Sequence, residues 1–403
     1  MSRHLKISNL LALVWGIALF SVIFAVPYQA TVKSHSGRDY ASYYYAIQAS
    51  GEEQSPYDID ALNQLAQEEG TRKSVHPFFY PPPATLFVSW LAPFSLKSGY
   101  VAFFWFNQFC LLGTLMILHR WRNVAWSTLF ACSLLLWPVL DTMKMGQINL
   151  FVGLMMLVAI RYRSGLALSV AAMTKMSPAL IFFGWISERA YKPAVICSIG
   201  CVCLSVLSLP WVSFSEQIRF YTEVLPQFAS GAYHGLKIPI NIPANHSIPD
   251  LYNQLFPGES STILSATAKT LSSITSGVLL LTLLFWIRTL QDSESKLFAS
   301  VALIPLMLLI PVYCYEHHLA LLLVPIVLVF ESIPKHSVSN RFVFWLVVLW
   351  GGQPLFSLRW LQRTIGVGEW WFQESKFLFV LCIGLYCLWH SYKLEQKSLI
   401  ASS

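Results

Sequence analysis

The sequence predicts an all-α polytopic membrane protein built as a single domain over residues 1–403, and three observations carry that reading. First, 55% of the residues are hydrophobic and 12% are charged, against roughly 25% charged in a soluble domain, and the mean hydropathy is +0.55. One soluble core cannot hide that much apolar surface. Second, apolar runs near the length needed to cross a hydrocarbon layer roughly 30 Å thick recur along the chain with few charges inside them. Third, a β-barrel needs shorter, alternating segments, so helices satisfy the backbone here.

Taken in order, the run at 9–27 is long for the core of a signal peptide and has no small-x-small cleavage site before Tyr28, so it reads as a retained first span. Residues 28–97 then form a first outer loop. Within it "DYASYYYAIQAS" and "DIDALNQLAQEE" carry apolar residues at helical spacing, and "SPYD" separates them as a turn. The short run at 83–95, rich in proline at its start, is expected to lie along the outer interface. Further apolar runs follow at 98–119, 124–141, 148–160, 165–187, 193–213, 269–288, 297–314, 319–333, 342–358 and 375–392. Together they make about 10–13 spans or half-spans.

Basic residues cluster in the short loops at Arg120 and Arg122, Arg161 and Arg163, Arg189 and Lys192, and Lys335 and Arg341, which places those loops in the cytoplasm. All four fall on one side if 165–187, broken near Lys175 and Pro178, rises and returns as two half-helices. A single straight span is the competing reading. The outer face then holds 28–97, the turn at 141–149, the Lys175 break, a second large loop at 214–268, the turn at 315–318 and the stretch 359–374.

The net charge of +7 is spread over short loops, which suits anionic lipid headgroups and points away from nucleic acid. The eight cysteines, among them Cys197, Cys201 and Cys203, lie in apolar runs without zinc-like pairs. Walker loops, dinucleotide fingerprints, nucleophile elbows and HExxH helices are absent. No soluble segment is large enough for a nucleotide-sugar domain, so a glycosylating enzyme of this form would take a membrane-borne donor.

Asp39 is the leading chemical candidate. It reads either as a helix N-cap or partner of Arg38, or as a carboxylate placed after the first span to meet a lipid-linked head group. Tyr40, Tyr43, Tyr44 and Tyr45 supply ring faces and hydroxyls suited to sugars, and equally to a membrane belt. Lys175 interrupts an apolar segment, where an ammonium needs an anion, an acidic partner or water; a phosphate would serve, as would Asp141 or snorkelling. Gln147 and Asn149 of "GQIN" are candidates to hydrogen-bond a sugar or to cap the following helix. His317 and His318, beside Glu316, favour phosphate or hydroxyl contacts over a metal.

The ordered pieces "RDYASYYYAIQASGEEQSPYD", "YPPPATLFVSWLAPF", "GQINLFVGLMMLVAI", "AMTKMSPALIFF", "NHSI" at 245–248 and "EHHLALLLVPIVLV" resemble the polytopic glycosyltransferases of family 87, the DUF2029 group of the GT-C superfamily. The resemblance spans about residues 36–330; the last 70 residues carry little of it. It implies a GT-C fold, with the first outer loop carrying the catalytic acid and short helices along the membrane. It also implies inverting transfer of a sugar, typically mannose, from a polyprenyl-monophosphate donor to a hydroxyl of a glycolipid or glycan acceptor at the outer face. Asp39 would be the general base. Arg38, Tyr43, Tyr44, Tyr57, Tyr80, Lys144, Gln147, Asn149, Lys175, Asn245, Ser247, His317 and His318 would contact substrate, with no metal and no cofactor.

Two departures from the family pattern stand in this chain. The lysine motif reads "KMSP", with Met176 and Ser177 altering the lysine's surroundings, and Asn245-His246-Ser247 stands where Asn-Gln-Ser is common and is also a glycosylation sequon. A lipid-linked glycan polymerase or ligase, or a polytopic transporter, are the alternative classes. A transporter would show matched broken helices in two halves, and only one such break stands out. Short loops and the lack of a retrieval signal fit a bacterial inner (plasma) membrane with the site on the periplasmic or external side.

Overall fold

A computed structural model describes residues 16, 37–71, 74–230, 240, 242, 244–352 and 374–402; except for Gly16, the predicted first span at 9–27 lies outside the described residues. The chain is all-α, with no strand among the described residues. The first loop forms α1 (Arg38–Gly51) and α2 (Ile59–Glu68). Asp58 of "SPYD" caps α2 by accepting from the Asp60 N–H at 3.0 Å, which satisfies one of the orphan donors of a helix start. The run at 83–95 yields only α3 (Ala84–Val88) and a 3-10 turn at Ser89–Leu91. At 1.5 Å per residue that is far too short to cross a bilayer.

The long runs follow. α4 is Leu96–Arg122, opened by a Ser95/Ser98 capping box. The run at 124–141, expected to be continuous, instead makes α5 (Trp126–Leu135) and α6 (Trp137–Met145), bent by 65°. Pro138 in the first turn of α6 brings no N–H and restricts the residue before it. α7 is Asn149–Tyr162, α8 Gly165–Thr174, α9 Leu180–Ser187 and α10 Tyr191–Leu207. Short helical turns cover 214–229, and then come α11 (Ile248–Leu255), α12 (Ala266–Thr289), α13 (Ser293–Leu309), α14 (Leu323–Ser332), α15 (Val338–Gly352) and α16 (Ser375–Ser402). By length and composition α4, α12 and most of α16 can each cross a membrane unaided.

The segment 165–187 rises and returns. Lys175, with φ −151° and ψ 125°, leaves the helical region and ends α8. A 3-10 turn at Ser177–Ala179 starts the return. The two ends of this hairpin remote from Lys175 meet, since Arg163 before α8 forms an ion pair with Glu188 after α9. Glycines let α10 pack alongside: a Cβ on Gly165 would stand 2.3 Å from the Pro193 carbonyl oxygen, and one on Gly200 would stand 2.4 Å from Ser169 Oγ. Close backbone approach of this kind holds helices together where water drives nothing.

At the centre stand α13 and α14, buried on every side from Phe298 to Leu309 and from Leu323 to Phe330. A helix apolar all round has to be enclosed by others. α16 packs along α13, joined by reciprocal bonds in which Ser295 Oγ donates to the Ser391 carbonyl at 2.8 Å and Ser391 Oγ to the Ser295 carbonyl at 2.9 Å. At the periphery Phe285 on α12 is 72% exposed and Val202 on α10 65% exposed. Apolar faces left this open are what a lipid solvent requires. The protein is an integral membrane protein.

Candidate active site

The site is assembled by two glycines. Gly37, at φ +66°, turns the chain into α1, and its N–H donates to the Lys144 carbonyl at 3.1 Å. Gly146, at φ +68°, ends α6 in a left-handed cap, and the Gln147 N–H returns to the Thr142 carbonyl at 2.9 Å. Tyr100 Oη also donates to the Lys144 carbonyl, at 2.9 Å. A Cβ on Gly146 would lie 2.4 Å from Tyr40 Cβ. The start of α1 therefore sits directly on the end of α6, which brings Asp39 into the neighbourhood of Asp141.

Between those helices comes the turn at 315–318. Its 3-10 helix, Glu316–Leu322, packs on α6 and α7. The His317 carbonyl accepts from Thr142 Oγ1 at 2.7 Å and from Asn149 Nδ2 at 2.9 Å. Its imidazole then stands between two carboxylates: Nε2 is 3.8 Å from Asp39 Oδ2, and Nδ1 is 3.8 Å from Asp141 Oδ2. Those separations exceed hydrogen-bond length, so the ring stands beside both carboxylates without bonding either. Asp39 lies in the first turn of α1, not at its cap, which is Gly37.

A second layer supports the first. Lys175 Nζ donates to Asn149 Oδ1 at 2.8 Å, so the amide of Asn149 links the broken hairpin to the His317 carbonyl. Lys175 thus bonds an amide, while Asp141 faces His317. Tyr43 Oη and Tyr80 Oη both donate to Gln147 Oε1, each at 3.0 Å. Burial, reinforced by the Tyr80 ring hydroxyl and by Asp39, pushes Tyr43 well above the usual phenol range. Burial followed by Asp39 does the same for Tyr80. Both remain hydroxyl donors at any physiological pH.

The His318 ring stands perpendicular to that of His317, with their centroids 4.4 Å apart. Its Nδ1 accepts from the Tyr315 N–H at 3.2 Å, and burial, then the charges of Lys175, His317 and His246, hold its basicity well below the ordinary histidine range. It is a neutral ring with its proton on Nε2.

The remaining predicted contacts lie apart. Arg38 and the Lys144 side chain are exposed, and Lys144 serves through its carbonyl. Tyr44 Oη donates to Glu69 Oε1 at 3.2 Å and Tyr57 Oη to the Tyr80 carbonyl at 3.0 Å. Asn245 and Ser247 are buried within the fold. Asn245 Nδ2 donates to the Ile240 and Val312 carbonyls at 3.1 and 2.9 Å, its Oδ1 accepts from the Cys314 N–H at 2.8 Å, and Ser247 Oγ donates to the Val312 carbonyl at 2.9 Å. Ser247 also caps α11. The "NHS" piece thus pins the second loop to the chain just before His317.

Two residues of this neighbourhood carry weak signals in the sequence. Asp141 reads there only as an optional partner for Lys175. Lys376 reads as one charge at the mouth of the last apolar run, although an ammonium there calls for a partner. Its partner is Glu316, whose Oε2 accepts from Lys376 Nζ. Burial alone would raise the Glu316 carboxyl, but the His246 ring and then the Lys376 ammonium outweigh it and hold it down at about 2. His246 Nε2 stands 3.8 Å from the other oxygen of Glu316.

A family model described as Glycosyltransferase family 87 matches residues 78–311, more than half of the chain. No curated protein and no solved structure matches it. The matched region holds Tyr80, Asp141, Gln147, Asn149 and Lys175 and ends before His317.

Proposed function

The chain belongs to glycosyltransferase family 87, and on that premise we propose that it moves a sugar, mannose by its resemblance, from a polyprenyl-monophosphate donor to a hydroxyl of a glycolipid or glycan acceptor at the extracytoplasmic face, with Asp39 as general base. The observation that carries the reading is Asp39 beside His317 and backed by Lys175 through Asn149: a carboxylate at the start of the first loop helix next to groups able to donate to a phosphate.

Transfer needs little more. The acceptor hydroxyl attacks the anomeric carbon from the face opposite the phosphate, its proton passes to an Asp39 carboxylate oxygen, and the anomeric C–O bond breaks with its electron pair going to the phosphate. The anomeric configuration inverts. A positioned base lowers such a barrier by about 10²–10⁴-fold in rate. A departing phosphate is already a stable anion, so the second carboxylic acid of a glycosidase is not required. It calls instead for preorganised donors, a role suited to Lys175 Nζ, the His317 ring and the Nε2–H of His318. Tyr43 and Tyr80, fixed on Gln147, present a rigid aromatic wall beside Asp39.

The test is transfer of radiolabelled sugar from polyprenyl-phosphate-mannose to membrane acceptors by the purified, reconstituted protein. Label appearing in acceptor supports the donor class. Label that stays on the donor while other lipid-linked sugars are consumed assigns a different donor.

A further inference from the structure

Lys376 belongs to α16, in the last 70 residues, where the family resemblance is silent and beyond the matched region. It is nonetheless fully buried, and Nζ donates to Glu316, the residue next to His317. Asp141, the carboxylate facing His317 Nδ1, lies within electrostatic reach of the same ammonium. We infer that Lys376 is a positioning residue of the transfer site, holding through Glu316 the turn that sets His317 between Asp39 and Asp141. This rests on the sugar-transfer reading above and extends it to the C-terminal helix.

The turn needs outside support. A 3-10 segment has poorer hydrogen bonds than an α-helix and seldom persists on its own. The backbone of His317 is tied on one side by Thr142 and Asn149. The Lys376–Glu316 pair ties its neighbour on the other side, so the ring is fixed from α6, α7 and α16 together. Energetics point the same way. Taking both ions out of water offsets most of their attraction, and apolar residues of the same volume would be at least as stable, whereas removing one partner alone strands a buried charge. What the pair supplies is therefore location. Displacing a reacting group by about 1 Å costs on the order of 10²-fold in rate.

The experiment compares wild type, Lys376→Met, Glu316→Gln and the double variant, reading both thermal unfolding in lipid nanodiscs and steady-state transfer from polyprenyl-phosphate-mannose. Each single variant is expected to lower the unfolding midpoint, and the double variant to return close to wild type. The double variant should still turn over about 10²-fold more slowly, with the donor KM changed less than about threefold. A double variant with wild-type kcat, or one as unstable as the single variants, overturns the assignment of Lys376. Absence of transfer by the wild type overturns the transfer reading instead, and the unfolding cycle then reports the ion pair alone.

Discussion

Asp39 Oδ2 lies 3.8 Å from His317 Nε2, although one residue follows the first apolar run and the other sits between two of the last. A carboxylate and an imidazole from distant parts of the chain are thereby held side by side.

Replacing Asp39 with Asn keeps the shape of the site and removes its proton acceptor. Transfer is expected to fall by about 10²–10⁴-fold in kcat with a nearly unchanged donor KM. Initial rates at matched protein amounts, with a thermal melt to show that the fold persists, check this. Undiminished transfer would reduce Asp39 to a first-turn helix charge.

Lys175→Gln preserves a hydrogen-bond donor toward Asn149 Oδ1 but removes the point charge. Inhibition by the product polyprenyl phosphate is expected to weaken by about tenfold or more, since bonds to ionised partners are roughly twice as strong as neutral ones. Titration of product inhibition in wild type and variant measures it. Equal inhibition constants would remove Lys175 from the phosphate.

Gly146→Ala should be severe for so small a change. The added methyl meets Tyr40 Cβ at 2.4 Å, and the residue stays at φ +68°, where a side chain costs about 1–2 kcal/mol before any clash. A lower unfolding midpoint together with lost transfer is the expected outcome. Gly70, at φ +65° with open space around it, should lose only the conformational part when changed to Ala, and transfer should survive.

The stability contributed by two buried carboxyls should fall as the pH rises from about 4 toward 9. Gln254 Nε2 bridges Asp250 Oδ2 at 3.0 Å and Glu374 Oε1 at 2.6 Å. Burial, then the charge of Glu374, raises Asp250 to about 9, and burial raises Glu374 to about 7. Carboxyls raised on folding bind more protons in the native than in the unfolded state between their ordinary range near 4 and those values, so their contribution is full below about 4 and is lost as the pH climbs toward 9. Unfolding midpoints taken from pH 5 to 9 should decline, and Asp250→Asn should flatten the decline. A parallel pair of curves would contradict it.

Much of this protein was legible from residue types alone. Composition and run length dictated a helical membrane protein, and the Lys175-Pro178 interruption announced a broken segment because an ammonium and a ring without N–H both disrupt a buried helix. The Arg163–Glu188 pair shows that the segment doubles back. By contrast the 65° bend at Leu136 falls in a run whose hydropathy shows no break. Pro138 alone marked it, and proline at a helix start reads the same in a straight span and a bent one.

Within the site, Asp39, Lys175, Gln147, Asn149 and His317 stand out in the sequence as polar groups at the ends of apolar runs. Local pattern could not assign their partners, because hydrogen-bonding groups of the same kind are interchangeable until packing brings particular ones together. Only the tertiary structure turned Asn245 and Ser247 toward the backbone around Val312, gave Lys175 to Asn149, set Asp141 against His317 and drew Lys376 in from the last helix. Periodicity and polarity act over a few turns of chain and so reach the fold class; ion pairs and the two glycine contacts join segments well separated along the chain, and the packing of helices selects them.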